Sequence, residues 1–213
     1  MWLIQLLMHV LICALTPLVG TAAWETVPKI PAIDNAIPLL PVFTVFYLYA
    51  FIFWLLGPAV VSLTGKRNFH NFSVALLFTY AVSYLILFLF PSGMDRAAEG
   101  LIAEAQKPGL FRWFLWVIYS FDGGDTAFNI LPSIHCVASV SCYLGMRRQR
   151  ALPLWVRVFS LGMTVLICLS TVFVKQHFFA DMLLGTLLPI PVFALVYRID
   201  PGQKRYGKAE GTR

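Results

Sequence analysis

Charge is what this chain has least of. Asp, Glu, Lys and Arg make up 12% of its 213 residues, against about 25% in a soluble globular domain. With 59% apolar residues and a mean hydropathy of +0.77, that scarcity excludes an ordinary water-soluble fold and points to a bilayer. Cysteine is also sparse. Cys13, Cys136, Cys142 and Cys168 all fall inside apolar runs, with no Cys-x-x-Cys spacing. They read as small buried hydrophobes rather than disulfides or metal ligands. The four histidines form no His-rich tract, so no metal-ligand pattern is present. Strict apolar/polar alternation is missing, which argues against a transmembrane barrel. Internal repeats and low-complexity stretches are absent too. The basic excess of +6 comes without a nucleic-acid-binding pattern. It reads as an orientation signal, with attraction to anionic headgroups secondary.

What is present is a series of charge-free runs, roughly at 2–20, 39–63, 72–90, 131–146, 158–174 and 178–197. Most approach the length of about 20 residues that crosses the hydrocarbon core as a helix. The expectation is an all-α, six-span membrane bundle, a single domain over 1–213 with its core at about 40–197. Residues 110–121 are short and aromatic and read as an interfacial or re-entrant helix. Gly20-Thr21-Ala22-Ala23 has the look of a signal-peptidase site. The run before it is long for a signal core and has no preceding Lys or Arg, so it reads as a retained span.

Basic residues orient the bundle. Lys66 and Arg67, then Arg147, Arg148, Arg150 and Arg157, then Arg198, Lys204, Arg205, Lys208 and Arg213 are eleven of the sixteen, all predicted on one side. The positive-inside rule makes that side cytoplasmic, together with both termini. The connection 91–130 then faces outward, in a plasma or inner membrane.

Two histidines lie where loops meet apolar runs on that outer side. One is in Leu131-Pro132-Ser133-Ile134-His135. The other is in Ser170-Thr171-Val172-Phe173-Val174-Lys175-Gln176-His177-Phe178-Phe179-Ala180-Asp181. Ionisable groups are costly in lipid, so such a cluster is a functional-site hypothesis by default. His177 and Asp181 are four apart, on one helical face, where a carboxylate can hold an imidazole's tautomer. Ser133 after Pro132 is a good helix N-cap, and the N-terminus it caps offers N–H groups to an anion. Taken singly, His135 reads as a polar residue satisfied within the bundle, and His177 with Asp181 as a hydrogen-bonded pair; their joint spacing is what suggests chemistry. Asp122 and Asp125 flank Gly123-Gly124 and read as turn formers. Asp95 and Glu99 read as solvated loop residues. His9 and His70 have no companions. Trp2, Trp24, Trp54, Trp113, Trp116 and Trp155 suit interfacial belts.

Pro132-Ser133-Ile134-His135, followed 42 residues later by His177 and then Asp181, resembles the type 2 phosphatidic acid phosphatase superfamily of lipid phosphate phosphatases. That family has a Pro-Ser-x-His block and a Ser-Arg-x5-His-x3-Asp block. Here the second reads Ser170-Thr171-x5-His177-x3-Asp181, with Thr171 in place of Arg. The family's first block, Lys-x6-Arg-Pro, is degenerate: Leu89 replaces Lys, Arg96 stands in the Arg region, and Ala97 replaces Pro. A variant of the superfamily with Ile or Leu in the Pro-Ser-x-His block and Lys near the second His is closer to this chain.

The resemblance implies phosphoryl transfer through a phosphohistidine, without metal or cofactor. His177 would be the nucleophile, Asp181 its orienting partner and His135 the general acid and then base. Arg96, Lys175, Ser133 and Thr171 would bind the phosphoryl oxygens, with Lys107 and Arg112 as further candidates. Loss of the Arg at 171 thins the cationic clamp, and Lys175, two residues from His177, is the expected replacement. The expected substrate is a lipid phosphomonoester or diphosphate, with membrane lipids as the only other partners. Two alternatives accompany this reading: a phosphotransferase that moves a phosphoryl headgroup onto an alcohol or lipid acceptor, and a non-catalytic membrane protein that binds lipid phosphates.

Overall fold

The computed structural model describes residues 29–128, 130–147 and 149–210. The expected span at 2–20 lies outside them, as do Cys13, His9, Trp2 and Trp24. The described chain is mostly helical. A short helix α1 (Pro31–Asp34) and a 3-10 turn (Pro41–Phe43) lead into α2 (Thr44–Ser62), and α3 (Lys66–Leu89) returns. A connecting segment holds β1 (Gly93–Asp95), α4 (Leu101–Ala105), α5 (Leu110–Phe121) and β2 (Thr126–Phe128). Then come α6 (Ile134–Met146), α7 (Leu154–Phe173), α8 (Phe179–Leu187), α9 (Pro189–Ile199) and α10 (Pro201–Glu210).

Among the described residues, four helical stretches are long and apolar enough to cross a membrane: Pro41–Ser62, Lys66–Leu89, Leu154–Phe173 and Phe179–Gln203. The run expected at 131–146 becomes the 13-residue α6, about 20 Å long at 1.5 Å per residue. It is the central helix, packed against α2, α3, α7, α8 and α9, so its length is set by protein neighbours. Its small residues allow this. Ala138, Ser139, Ser141, Cys142 and Gly145 are all buried, and small side chains let apolar helices approach closely where no hydrophobic effect drives them together. A Cβ on Gly57 would sit 2.6 Å from Cys142 Sγ, and one on Gly145 2.4 Å from the Phe72 ring. Trp54 Nε1 donates to Ser139 Oγ at 2.9 Å and Thr164 Oγ1 to the Ser139 carbonyl at 3.2 Å, which ties α2, α6 and α7 together.

Three expectations are corrected. The connection between the runs 39–63 and 72–90 is shorter than their limits imply. The turn is Leu63–Gly65 and α3 begins at Lys66, because hydropathy marks where an apolar surface starts rather than where backbone hydrogen bonds start. Trp54 is not in an interfacial belt; it is 5% exposed and packs inside the bundle. Glu99 and Asp95 are not simply solvated: Glu99 pairs with Lys29 and Asp95 Oδ1 accepts the Ala98 N–H. The β1–β2 ribbon, with Met94 opposite Ala127, was not foreseen, since three-residue strands carry no readable period. Segment 110–121 does form one helix, with Leu115, Ile118 and Tyr119 buried and Trp113, Trp116 and Phe121 exposed.

The bundle has two distinct ends. At one, Arg67 pairs with Asp200, and Asn68 joins Gln149 and Tyr197 by hydrogen bonds of 2.7 and 2.9 Å. At the other, the Leu40 N–H meets the Phe173 carbonyl at 2.9 Å, under the ribbon and α5. Both histidine blocks lie at this second end.

Candidate active site

The α7–α8 connection is a tight reversal. The N–H groups of Gln176 and His177 both donate to the Thr171 carbonyl, at 3.0 and 3.1 Å. Lys175 adopts φ 53°, a left-handed conformation that a residue with a Cβ takes up at a cost of about 1–2 kcal/mol. Such strain persists only where the surroundings hold it. Here Tyr119 Oη donates to the Val174 carbonyl at 2.8 Å, and the segment between α3 and α6 grips Gln176 through Arg96.

The reversal delivers His177 to the residue before Phe178, the N-cap of α8, so His177 lies outside the helix that carries Asp181, and the two do not share a helical face as their four-residue spacing suggested. His177 Nδ1 lies 3.7 Å from Asp181 Oδ2, beyond hydrogen-bond range. That oxygen already accepts the Phe178 N–H at 2.8 Å as a helix cap, and Asp181 Oδ1 has no partner. Asp181 is fully buried and His177 is 11% exposed at its side chain.

His135 comes from the first turn of α6. Its ring stacks on Tyr47 with centroids 4.0 Å apart and meets the edges of Trp54 and Phe51 at 4.7 and 5.7 Å. These three aromatics lie on one face of α2, at positions i, i+4 and i+7. The two imidazole centroids are 6.4 Å apart. What joins the blocks is the crossing of α6 and α8: the Ser133 N–H donates to the Asp181 carbonyl at 3.1 Å, and a Cβ on Gly185 would lie 2.5 Å from the Ser133 carbonyl oxygen. Only glycine fits there. Ser92 Oγ helps hold the approach to α6 by accepting the Leu131 N–H at 3.0 Å.

The proposed phosphate ligands separate into groups. Ser133 is fully buried at the N-cap of α6, and its hydroxyl makes no capping bond and has no partner. The Thr171 hydroxyl donates to the Cys168 carbonyl of its own helix at 2.7 Å. Arg96 is fully buried: Nη1 donates to the carbonyls of Asp122 and Gly124 at 2.7 and 2.9 Å, and Nη2 donates to Asp122 Oδ2 at 2.6 Å and to Gln176 Oε1. Its guanidinium lies 4.8 Å above the Tyr119 ring. Only Nε is open. Lys107 and Arg112 both pair with Glu104.

Lys175 Nζ donates to the Asp34 carbonyl at 2.8 Å. Burial holds its ammonium below the ordinary lysine pKa, with the charges of Asp34 and Glu99 acting the other way. Lys175, His177, Phe178, Lys29, Asp34 and Glu99 share the lining of a cavity of about 360 Å³ with apolar neighbours such as Leu39 and Val172. Asp34 carried no local signal. It is 5% exposed, and its Oδ1 accepts the Phe179 N–H at 2.8 Å across 145 residues of sequence. A carboxylate of the protein thus occupies a first-turn N–H of α8, a donor of the kind that anions use.

Six buried polar atoms of this region lack any protein partner: Arg96 Nε, Ser133 Oγ, His135 Nε2, Gln176 Nε2, His177 Nδ1 and Asp181 Oδ1. Each such group costs about 1–3 kcal/mol when left unbonded, and native interiors rarely tolerate it. Sequence reading missed Gln176, Asp34, Gly185 and the Tyr47–Phe51–Trp54 wall. Of these, only the wall had a local signal, its helical spacing. Among the described residues no group of three or more His, Cys, Asp or Glu is arranged to hold a metal; Cys136, Cys142 and Cys168 are buried free thiols. No protein-family model matches the chain, and no curated protein or solved structure matches it.

Proposed function

We propose that the chain is a membrane-embedded lipid phosphate phosphatase that works through a phosphohistidine. The observation that carries this reading is the gathering, from three distant segments, of two imidazoles, a buried carboxylate and several donors, all with unmet hydrogen-bonding capacity. In the mechanism, Nε2 of His177 attacks phosphorus while Asp181 closes its 3.7 Å gap to Nδ1, orients the ring and stabilises its developing charge. His135 protonates the leaving alcohol oxygen, then takes a proton from the water that cleaves the phosphohistidine. Ser133 and Lys175 bind phosphoryl oxygens, and Thr171, whose hydroxyl proton faces its own helix, shapes the turn by its carbonyl. The lipid tail lies in the bilayer beside the exposed apolar helices. Counting the run 2–20 and the short α6, the chain has six spans, with the site on the outer face and both termini in the cytoplasm.

A second reading keeps the chemistry and changes the acceptor. His135 is walled by Tyr47, Phe51 and Trp54, an environment that shields it from bulk water and suits an alcohol or lipid acceptor. One experiment separates the two. Purified protein is given a panel of labelled lipid phosphates and diphosphates, with and without alcohol acceptors. Release of inorganic phosphate marks the phosphatase and label on the acceptor marks the transferase. His177→Ala should abolish both and retain the wild-type melting curve. Substantial turnover by that variant, or no turnover and no acid-labile label on wild type across the panel, rejects the proposal.

A further inference from the structure

Gln176 is 1% exposed and sits one residue before the nucleophile. An amide side chain has one accepting end and one donating end, and arginine is a donor only. Because Arg96 Nη2 bonds to Gln176 Oε1, the amide nitrogen must face the other way. That nitrogen has no acceptor in the protein. Arg96 is itself held from three directions by Asp122, Gly124 and the Tyr119 ring, so the amide is fixed. Gln176 is held in the same turn as His177, since the N–H groups of both donate to the Thr171 carbonyl, at 3.0 and 3.1 Å. Meanwhile the other donors are partly spent. The Thr171 hydroxyl and the Arg96 terminal nitrogens are bonded to the protein, and the Lys175 ammonium rests on the Asp34 carbonyl.

We propose that Gln176 is a further catalytic residue, whose amide N–H groups donate to an oxygen of the phosphoryl group that His177 attacks. This inference rests on the phosphoryl-transfer reading above. A fixed, buried donor of this kind needs no reorganisation as charge builds on the oxygen, which is how a neutral amide can do the work of a missing cation. The competing role is structural, with Gln176 serving only to accept from Arg96.

Gln176→Glu separates the two roles. The carboxylate keeps, and strengthens, the partner of Arg96 but has no N–H. Gln176→Met removes the donor without adding charge. The probe is orthovanadate, a mimic of the pentacoordinate phosphoryl group, titrated calorimetrically into the purified full chain, alongside kcat on the best lipid phosphate of the panel. Both variants should bind vanadate at least ~100-fold more weakly than wild type, with kcat reduced about 10²–10³-fold as for loss of an oxyanion donor, and Gln176→Glu should melt no lower than wild type. Wild-type affinity and kcat in either variant overturns the role of Gln176 and leaves the phosphatase reading standing. A wild-type chain that neither binds vanadate nor turns over overturns both.

Discussion

Gly185→Ala should destabilise the fold moderately and harm the site much more. The added Cβ would meet the Ser133 carbonyl oxygen at 2.5 Å, where ordinary contact begins at 3.4 Å. The neighbour is backbone at the start of α6 and cannot rotate away, so α8 and α6 must part by about 0.9 Å at this point. That parting stretches the 3.1 Å bond from the Ser133 N–H to the Asp181 carbonyl past its useful range. Overpacking costs about 1–3 kcal/mol and the lost hydrogen bond about 1 kcal/mol. Alanine's better helix propensity returns at most about 1 kcal/mol. The net is a destabilisation of about 1–3 kcal/mol. The catalytic effect is larger in proportion, because His135 rides on α6 and Asp181 on the start of α8, with His177 just before its N-cap. A misplacement of about 1 Å between reacting groups is enough for a 100-fold loss of rate. The control is Gly162→Ala in the middle of α7, where an added Cβ meets nothing within 4 Å; it should be neutral or stabilising by at most about 1 kcal/mol, with unchanged turnover. Denaturant unfolding in micelles and phosphate release measure the two effects on the same samples. If Gly185→Ala behaves like Gly162→Ala in both, the helix crossing does not set the site geometry.

Other perturbations test other parts. Lys175→Met should lower kcat and kcat/KM together, by about 2–4 kcal/mol if the ammonium acts as an oxyanion donor; near-wild-type kinetics would assign the lysine to its Asp34 contact alone. Since burial holds the Lys175 pKa below the ordinary value of 10.5, a pH–rate profile should show turnover falling on the alkaline side below that value, and Lys175→Arg should remove this limb. For stability the sign is reversed: between the lowered value and 10.5 the unfolded chain binds more protons, so this group's contribution rises with pH. Arg96→Met should destabilise by about 3 kcal/mol, the low end for breaking a buried pair, because half-exposed Asp122 regains water; a change under 1 kcal/mol in the melting equilibrium would contradict its role as anchor of the His177 turn. A cysteine introduced at 104 should be labelled by an impermeant reagent from outside and one at 149 should not; the reverse pattern would move the site to the cytoplasmic face.

Local sequence determined the medium, the helices and the candidate site pairs. The absence of charge over runs of about 20 residues leaves the backbone no way to satisfy itself in lipid except as helices, and four such stretches are present among the described residues. The four-residue step from His177 to Asp181 and the Pro132-Ser133 helix start are local features, and so was their place at the ends of apolar runs. What local pattern could not reach is every interaction made across the bundle. Whether Arg96 would meet substrate or protein depended on Asp122 and on Gln176, 80 residues away. The Asp34 carboxylate over the α8 N-terminus, 145 residues from its partner, had nothing around it to set it apart from a loop residue. Gly185 looked like any glycine in an apolar helix until α6 was seen to pass 2.5 Å from its missing Cβ. Periodicity encodes which face of a helix is apolar. The depth at which two helices cross, and the orphaned donors left where they meet, are decided only when distant segments compete for the same space and the same hydrogen bonds.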